Sequence, residues 1–274
     1  MIVGKSTSVE FKSGMLLSKE MLEQLEYQTH LHEIQYSNYP DGILYGLDIT
    51  VEDEKLFFSS GLIKYKDGYY YIHKPIDVFA LLDSADENWE NNTVHSAIVL
   101  EPSGIDTANE GVHSKCISAR LVNQSDVNDR ICLAEFQYHK AKRKWDIKNA
   151  DLKSQLTTTG TVFSLLNTPY SLPGESVFSP YIYDLMKKCL ESIESPTLDD
   201  RALLFTLCQN QLASFSVLKL WFGFKKIEVD FNSRADIINK FTRAISENRT
   251  QKVPDPINPP PNTIESSFGW GHRG

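Results

Sequence analysis

The sequence lacks the grouped side chains on which metal or nucleophile chemistry is usually built. Its four cysteines, Cys116, Cys132, Cys189 and Cys208, lie far apart with no CxxC pairing, whereas a zinc site needs clustered Cys and His ligands. Cys189 and Cys208 fall in apolar stretches and read as small core residues. His30 and His32 are two apart on a predicted helix and so point to different faces; His73, His95, His113, His139 and His272 are scattered. There is no G-x-S-x-G elbow and no dinucleotide fingerprint. Gly4-Lys5-Ser6-Thr7 resembles the end of a phosphate loop without the earlier glycine that the loop requires. The acidic pairs Asp199-Asp200 and Asp86-Glu87 read as a helix first turn and a loop. The expectation is a protein that is not an enzyme, with no catalytic, cofactor-binding or metal-binding residues.

Basic charge is also in short supply. Lys and Arg number 28 against 36 Asp and Glu, a formal net charge of −8. A nucleic-acid surface needs a basic patch to neutralise phosphates, and the one short basic run, His139 to Lys144, reads as a strand or hairpin end. No nucleic-acid partner is expected. No apolar run approaches the length of a membrane span, and the opening Met-Ile-Val-Gly-Lys-Ser lacks the apolar core of a signal peptide. The expectation is a soluble chain made in the bacterial cytoplasm, without signal peptide or membrane insertion.

What is present is aromatic and patterned. Across 274 residues there are 12 Tyr and 14 Phe, and large rings favour pleated surfaces and contacts. A short strand at 8–12 precedes a helix capped by Ser18 and carrying Met21, Leu22, Leu25, Leu31 and Ile34; Pro40-Asp41-Gly42 ends that segment. Short strands follow at Ile43–Val51, Lys55–Phe58, Gly61–Tyr65, Tyr69–Ile72, Ala80–Leu82, Ala97–Leu100, Cys116–Val122 and Ile131–Tyr138. Asp67-Gly68 marks a tight hairpin between the third and fourth. Residues 83–92 and 104–113 read as loops. Residues 152–175, with Gly160, Pro169, Pro173 and Gly174, read as a linker.

Beyond it the period becomes helical. Val177, Phe178, Tyr181, Ile182, Leu185, Met186, Cys189, Leu190 and Ile193 form a broad apolar face. A capping box, Thr197 to Asp200, opens one long helix through Leu203, Leu204, Leu207, Leu212, Phe215, Leu218 and Trp221. Ile227–Phe231 is strand-like, and Ser233 caps a last helix with Ile237, Ile238, Phe241, Ala244 and Ile245. From Val253 the chain is Pro-rich, reading as an extended arm that ends in Phe268-Gly269-Trp270.

The predicted fold class is therefore α+β: an N-terminal β-sandwich-like shoulder with a leading helix, then a C-terminal helical bundle and an extended Pro-rich tail. The predicted boundaries are 1–151 for the shoulder, 152–175 for the linker, 176–248 for the neck and 249–274 for the arm. With only three helices, the neck reads as too greasy to cover itself. Phe178, Tyr181, Leu185, Leu204, Leu207, Phe215, Leu218 and Trp221 are its predicted oligomerisation residues, and Phe268 and Trp270 its predicted partner-docking residues.

Phe11-Lys-Ser-Gly14-Met-Leu-Leu-Ser18, the Glu/Gln/Tyr/His-rich run Lys19–Glu33 and then Gly42-Ile-Leu-Tyr-Gly46 resemble the opening of the type VI secretion baseplate adaptor (TssK) family and of the related shoulder domain of phage receptor-binding proteins. The usual Trp before the glycine is here Phe11, displaced by two residues, and the Pro-rich arm stands where the family has a receptor-recognition head. The resemblance implies a homotrimer: a structural adaptor of a phage tail or contractile injection system baseplate, a virion component working by protein–protein interaction with other tail proteins, with no catalytic residues to carry over. The rival expectation is a carbohydrate- or receptor-binding module using the Tyr69-Tyr70-Tyr71 strand.

Overall fold

A computed structural model describes residues 1–9, 19, 22, 38–52, 55–66, 68–83, 94–109, 112–138, 151–157 and 163–250. The predicted leading helix (apart from positions 19 and 22), the basic run at 139–144, the acidic loop from 84 to 92 and the arm with Phe268 and Trp270 lie outside the described residues.

Thirteen strands form among the described residues: β1 Ile2–Val9, β2 Gly42–Gly46, β3 Ile49–Glu52, β4 Lys55–Phe58, β5 Gly61–Tyr65, β6 Gly68–Ile72, β7 Ile76–Asp77, β8 Val94–Asn109, β9 Val112–Asn123, β10 Ile131–Tyr138, β11 Phe163–Ser164, β12 Tyr170–Leu172 and β13 Glu175–Val177. Ten of them make one sheet in the order β11-β10-β8-β9-β1-β6-β5-β2-β12-β13, and β3-β4-β7 make a second, small one. Five helices complete the set: α1 Val78–Asp83, α2 Pro180–Glu191, α3 Leu198–Gln209, α4 Phe215–Phe224 and α5 Arg234–Thr250. The class is α+β.

The large sheet closes around one core. Ile43, Ile63, Ile72, Ile98, Leu100, Ile117, Leu133 and Phe136 meet Leu56 and Phe58 of the small sheet and Leu81 and Leu82 of α1. Ala97, Val99 and Cys132 make a smaller cluster of their own, so β8 is buried on both sides from Ser96 to Leu100. The run Gly4–Thr7 sits inside β1, paired with β9, where no phosphate cradle can form.

Several strand expectations change. Ile43–Val51 is two strands, not one: Gly46 (φ 69) and Leu47 (φ 55) both enter the left-handed region, and the chain leaves the large sheet for the small one. A Cβ at Gly46 would meet the Ser60 carbonyl oxygen at 2.1 Å, so only glycine fits. The hairpin falls where the Asp-Gly signal puts it, but one residue earlier: Tyr65 pairs with Gly68, and Lys66 takes the positive φ of 52. Ala80–Leu82 is helix, because the Asp77 carboxylate accepts hydrogen bonds from the backbone N–H groups of Phe79 at 2.8 Å and Ala80 at 3.1 Å, a cap for α1. The predicted loop 104–113 is instead mostly strand, the far end of the long β8–β9 hairpin.

Where it is described, the predicted linker 152–175 joins the sheet. Phe163 pairs with Phe136, and Tyr170 pairs in parallel with Ile43. Buried Gln155 accepts from the Leu165 N–H at 2.8 Å, and the Thr168 hydroxyl donates to the Leu133 carbonyl at 2.7 Å. The compositional signal of Gly and Pro marked turns between edge strands, and tertiary pairing made them part of the sheet.

The predicted long helix is broken. Asn210 leaves helical geometry at φ −122 and ψ 133, and Ser214 caps a new helix, its hydroxyl accepting from the Ser216 N–H at 3.0 Å. The Tyr183 hydroxyl donates to the Ala213 carbonyl at 2.5 Å, and the Glu175 carboxylate accepts from the Phe215 N–H at 3.1 Å. Partners from α2 and β13 thus hold the break. Ile227–Phe231 is not a strand; its apolar side chains pack on the helical core.

Candidate functional site

The helical part has its own core. Phe178, Leu185, Leu207, Leu218 and Trp221 are each 3% exposed or less in a single chain. Tyr181, Leu204 and Phe215 are half-buried against the same core. This differs from the expectation that sister subunits cover these eight side chains. The break at 210–214 turns three helices into four, and α5 brings Ile237, Ile238 and Phe241 across them. The greasy faces are filled from within.

Asp200 organises one side of this core. It is 1% exposed, and its carboxylate accepts from the Trp221 indole N–H at 3.0 Å, from the Thr197 backbone N–H at 3.0 Å and from the Thr197 hydroxyl at 2.7 Å. Lys225 closes the network with its ammonium 2.9 Å away. Burial alone would raise the carboxyl's pKa, but the Lys225 ammonium, the Thr197 hydroxyl and N–H and the Trp221 indole together hold it below the usual value.

A second anchor joins sheet to helices. The Arg234 guanidinium donates to the carbonyls of Leu166 (3.1 Å), Thr168 (2.9 Å) and Val177 (2.9 Å) and to the Ser176 hydroxyl (2.9 Å). It also lies over the Phe178 ring, 5.4 Å from its centroid. Burial lowers its pKa to about 10, so it stays charged at neutral pH, held by carbonyl dipoles.

What the core leaves uncovered is an apolar face on the outside of α3 and α4. Leu198, Phe205, Leu220 and Phe224 are 81, 63, 64 and 63% exposed. Leu198, Ala202 and Phe205 follow one another at helical spacing, as do Leu220 and Phe224. Between the two helices runs a groove of about 220 Å³ lined by Ala202, Leu203, Thr206, Val217, Leu220, Trp221 and Phe224, with Asp199 beside them. The Trp221 indole that forms one wall donates its N–H to the Asp200 carboxylate. Sequence reasoning missed these four side chains. The available signal was an α3 sequence apolar on more than one stripe, which a self-covering helix does not need.

A larger, polar cleft of about 590 Å³ lies where the strand switch meets α2 and the end of α3, lined by Asp48, Ile49, Tyr181, Asp184, Lys187, Cys208 and Gln209–Gln211 among others. Burial raises the Asp48 pKa and nearby Asp184 adds to the effect, against a hydrogen bond from Tyr170. Lys187 pairs with Asp184. The cleft can hold polar groups. Among the described residues no group of three or more His, Cys, Asp or Glu is placed to hold a metal ion.

Of the tyrosine strand, Tyr69 and Tyr70 are buried at 6 and 5% exposure. Tyr71 is at the surface in part, its ring 6.5 Å from exposed Tyr45 and 4.4 Å from His73. Tyr70 is therefore core, not platform.

No family model matches the chain, and no curated protein matches it. A solved structure described as "Crystal structure of TssK" is similar to it with a TM-score of 0.37 and 8% identity, over 90% of this chain and 70% of that one. That is a distant likeness of overall layout. No helix among the described residues is long and apolar enough to cross a membrane.

Proposed function

We propose that this protein is a structural adaptor rather than an enzyme, a component of a phage-tail or contractile-injection baseplate that docks another protein on the outer face of α3 and α4. The observation that carries docking is the set of four large apolar side chains on α3 and α4 left more than 60% exposed, two of which, Leu220 and Phe224, line a preformed groove. Large apolar side chains left exposed together on one part of a fold mark a protein contact surface. The baseplate assignment is supported by the sequence pattern of residues 11–46 and by the order of a β-part followed by helices. The eight side chains expected at a trimer interface are buried or half-buried within one chain, so the docking surface is assigned to the outer face of α3 and α4 instead.

Co-expression of the full chain with the products of its neighbouring genes, followed by co-elution, tests this. The expected result is a complex that Leu220→Gln with Phe224→Ser weakens about tenfold or more, since loss of two anchors from an interface centre exceeds 1.4 kcal/mol. A complex indifferent to both changes would overturn the assigned surface.

A second reading has one observation in its favour, the surface strip Tyr45–Tyr71–His73, since exposed aromatic faces stack on sugar rings. Glycan-array binding lost on Tyr45→Ala or Tyr71→Ala would favour it over the adaptor.

A further inference from the structure

We infer that the open edge of β3 accepts one further strand, an extended segment of a partner protein whose Lys or Arg side chain enters the cleft beside Asp48 and Asp184. The site shares no lining residue with the α3–α4 groove and does not depend on it. Its first support is how the chain treats its other sheet edges. An edge strand presents unpaired N–H and C=O groups that template a new strand, and folded proteins block or shorten such edges. At β11 the Gln155 side chain stands in for a neighbour, its amide donating to the Phe163 carbonyl at 3.4 Å and accepting from the Leu165 N–H at 2.8 Å. At β13 the Arg234 guanidinium donates to the Ser176 hydroxyl and the Val177 carbonyl, both at 2.9 Å. β7 has two residues and runs straight into α1. β3 has no such cover among the described residues. It pairs with β4 only, Thr50 is exposed, and Val51 is 45% exposed.

The register says which groups are on offer. The Ser59 N–H donates to the Asp48 carbonyl at 2.9 Å, one position before the pairs Ile49–Phe58, Thr50–Phe57 and Val51–Leu56. Hydrogen-bonded and non-hydrogen-bonded pairs alternate along an antiparallel ladder, so Thr50 bonds to β4 while Ile49 and Val51 turn their N–H and C=O groups outward. Those groups have no partner among the described residues, and an added strand satisfies them. The cleft of about 590 Å³ begins at Asp48 and Ile49, the near end of this edge, and its chemistry selects the incoming side chain. Asp48 and Asp184 face it against one ammonium, that of Lys187, which is already paired with Asp184. Leu207, Cys208 and Gln209 bring to it the last turn of α3, a negative helix end with no basic residue of its own. Burial and Asp184 both push the Asp48 carboxyl up, and an added cation relieves that cost. A Lys or Arg side chain fits this lining, its apolar stem along Ile49 and Tyr181 and its charged head at the carboxylates.

The test titrates the ¹⁵N-labelled full chain with a peptide capped at both ends, Thr-Val-Lys-Val-Thr, and follows the backbone amide signals. The Ile49 and Val51 signals should shift saturably, with a Kd of about 1 mM or tighter, and their hydrogen exchange should slow. Replacing the peptide's lysine by glutamate should weaken binding about tenfold. Val51→Pro removes an outward N–H without touching a bond to β4; it should weaken binding about tenfold with the circular dichroism unchanged. Asp48→Asn keeps the backbone edge and should lower affinity for the lysine peptide but not for one with norleucine in its place, which decides the matter even if the proline disturbs the strand. No saturable shift, shifts confined to other elements, or indifference to both substitutions overturns the inference. Protection of Ile49 and Val51 that grows with protein concentration in the absence of peptide also overturns it, because the occupant is then a second copy.

Discussion

Asp200 and Arg234 show how much of this molecule depends on single buried polar groups. Asp200→Asn removes the charge that faces Lys225 while keeping most of the size; it should destabilise the protein by about 2–3 kcal/mol at neutral pH, the usual worth of a charge-assisted hydrogen bond in a buried setting. Because the folded pKa is depressed, this stabilisation is present above the usual carboxylate range near pH 4 and is lost as pH falls through the folded value. Urea unfolding of both proteins should therefore show a gap that closes on acidification; a gap constant with pH would refute the charge argument. Arg234→Met strands three carbonyls at the sheet–helix junction and should cost about 3 kcal/mol or more. Arg234→Lys should rescue little, since one ammonium cannot reproduce a planar fork; full recovery of the melting temperature by lysine would count against this account.

At the scale of elements, turns and breaks decided more than propensities did. Lys66 sits at φ 52 in the β5–β6 turn, a left-handed conformation that strains a residue with a Cβ by roughly 1 kcal/mol. Lys66→Gly should thus raise stability by up to about 1 kcal/mol, measured by thermal unfolding; a loss would mean that the turn is not strained. Gly46→Ala should do the opposite, since its Cβ would strike the Ser60 carbonyl and Gly61. The capping box at Thr197 and the Ser233 cap were legible, and both form as read, with Asp200 N–H on the Thr197 hydroxyl at 3.3 Å and Asp236 N–H on Ser233 at 3.2 Å. The break of the long helix was not legible. Leu212, Ala213 and Phe215 continue an apolar helical pattern, and only the distant partners Tyr183 and Glu175 make the non-helical path the better one.

For the molecule as a whole, the two cores share Tyr181, Leu212 and Phe215 at their margins, and Arg234 binds across them. Sheet and helices should therefore unfold together in a single cooperative transition with coincident tyrosine-fluorescence and circular-dichroism curves. Two separated transitions would restore the linker reading of 152–175. Leu220→Gln and Phe224→Ser, by contrast, should change stability by no more than about 0.5 kcal/mol, as substitutions at exposed positions do, while removing association.

By itself the sequence determined what depends on near neighbours: the mixed class, the β-then-helical order, the hairpin, two caps and the apolar character of the helices. Only the tertiary structure decided what depends on residues far apart: that the turn-rich middle pairs into the sheet, that a strand changes sheets at Gly46, and that a fourth helix seals the core. It also decided which apolar side chains stay outside. An apolar stripe tells that a helix face must be covered; only the arrangement of the other helices tells whether the cover is the same chain, and here it leaves Leu198, Phe205, Leu220 and Phe224 for something else.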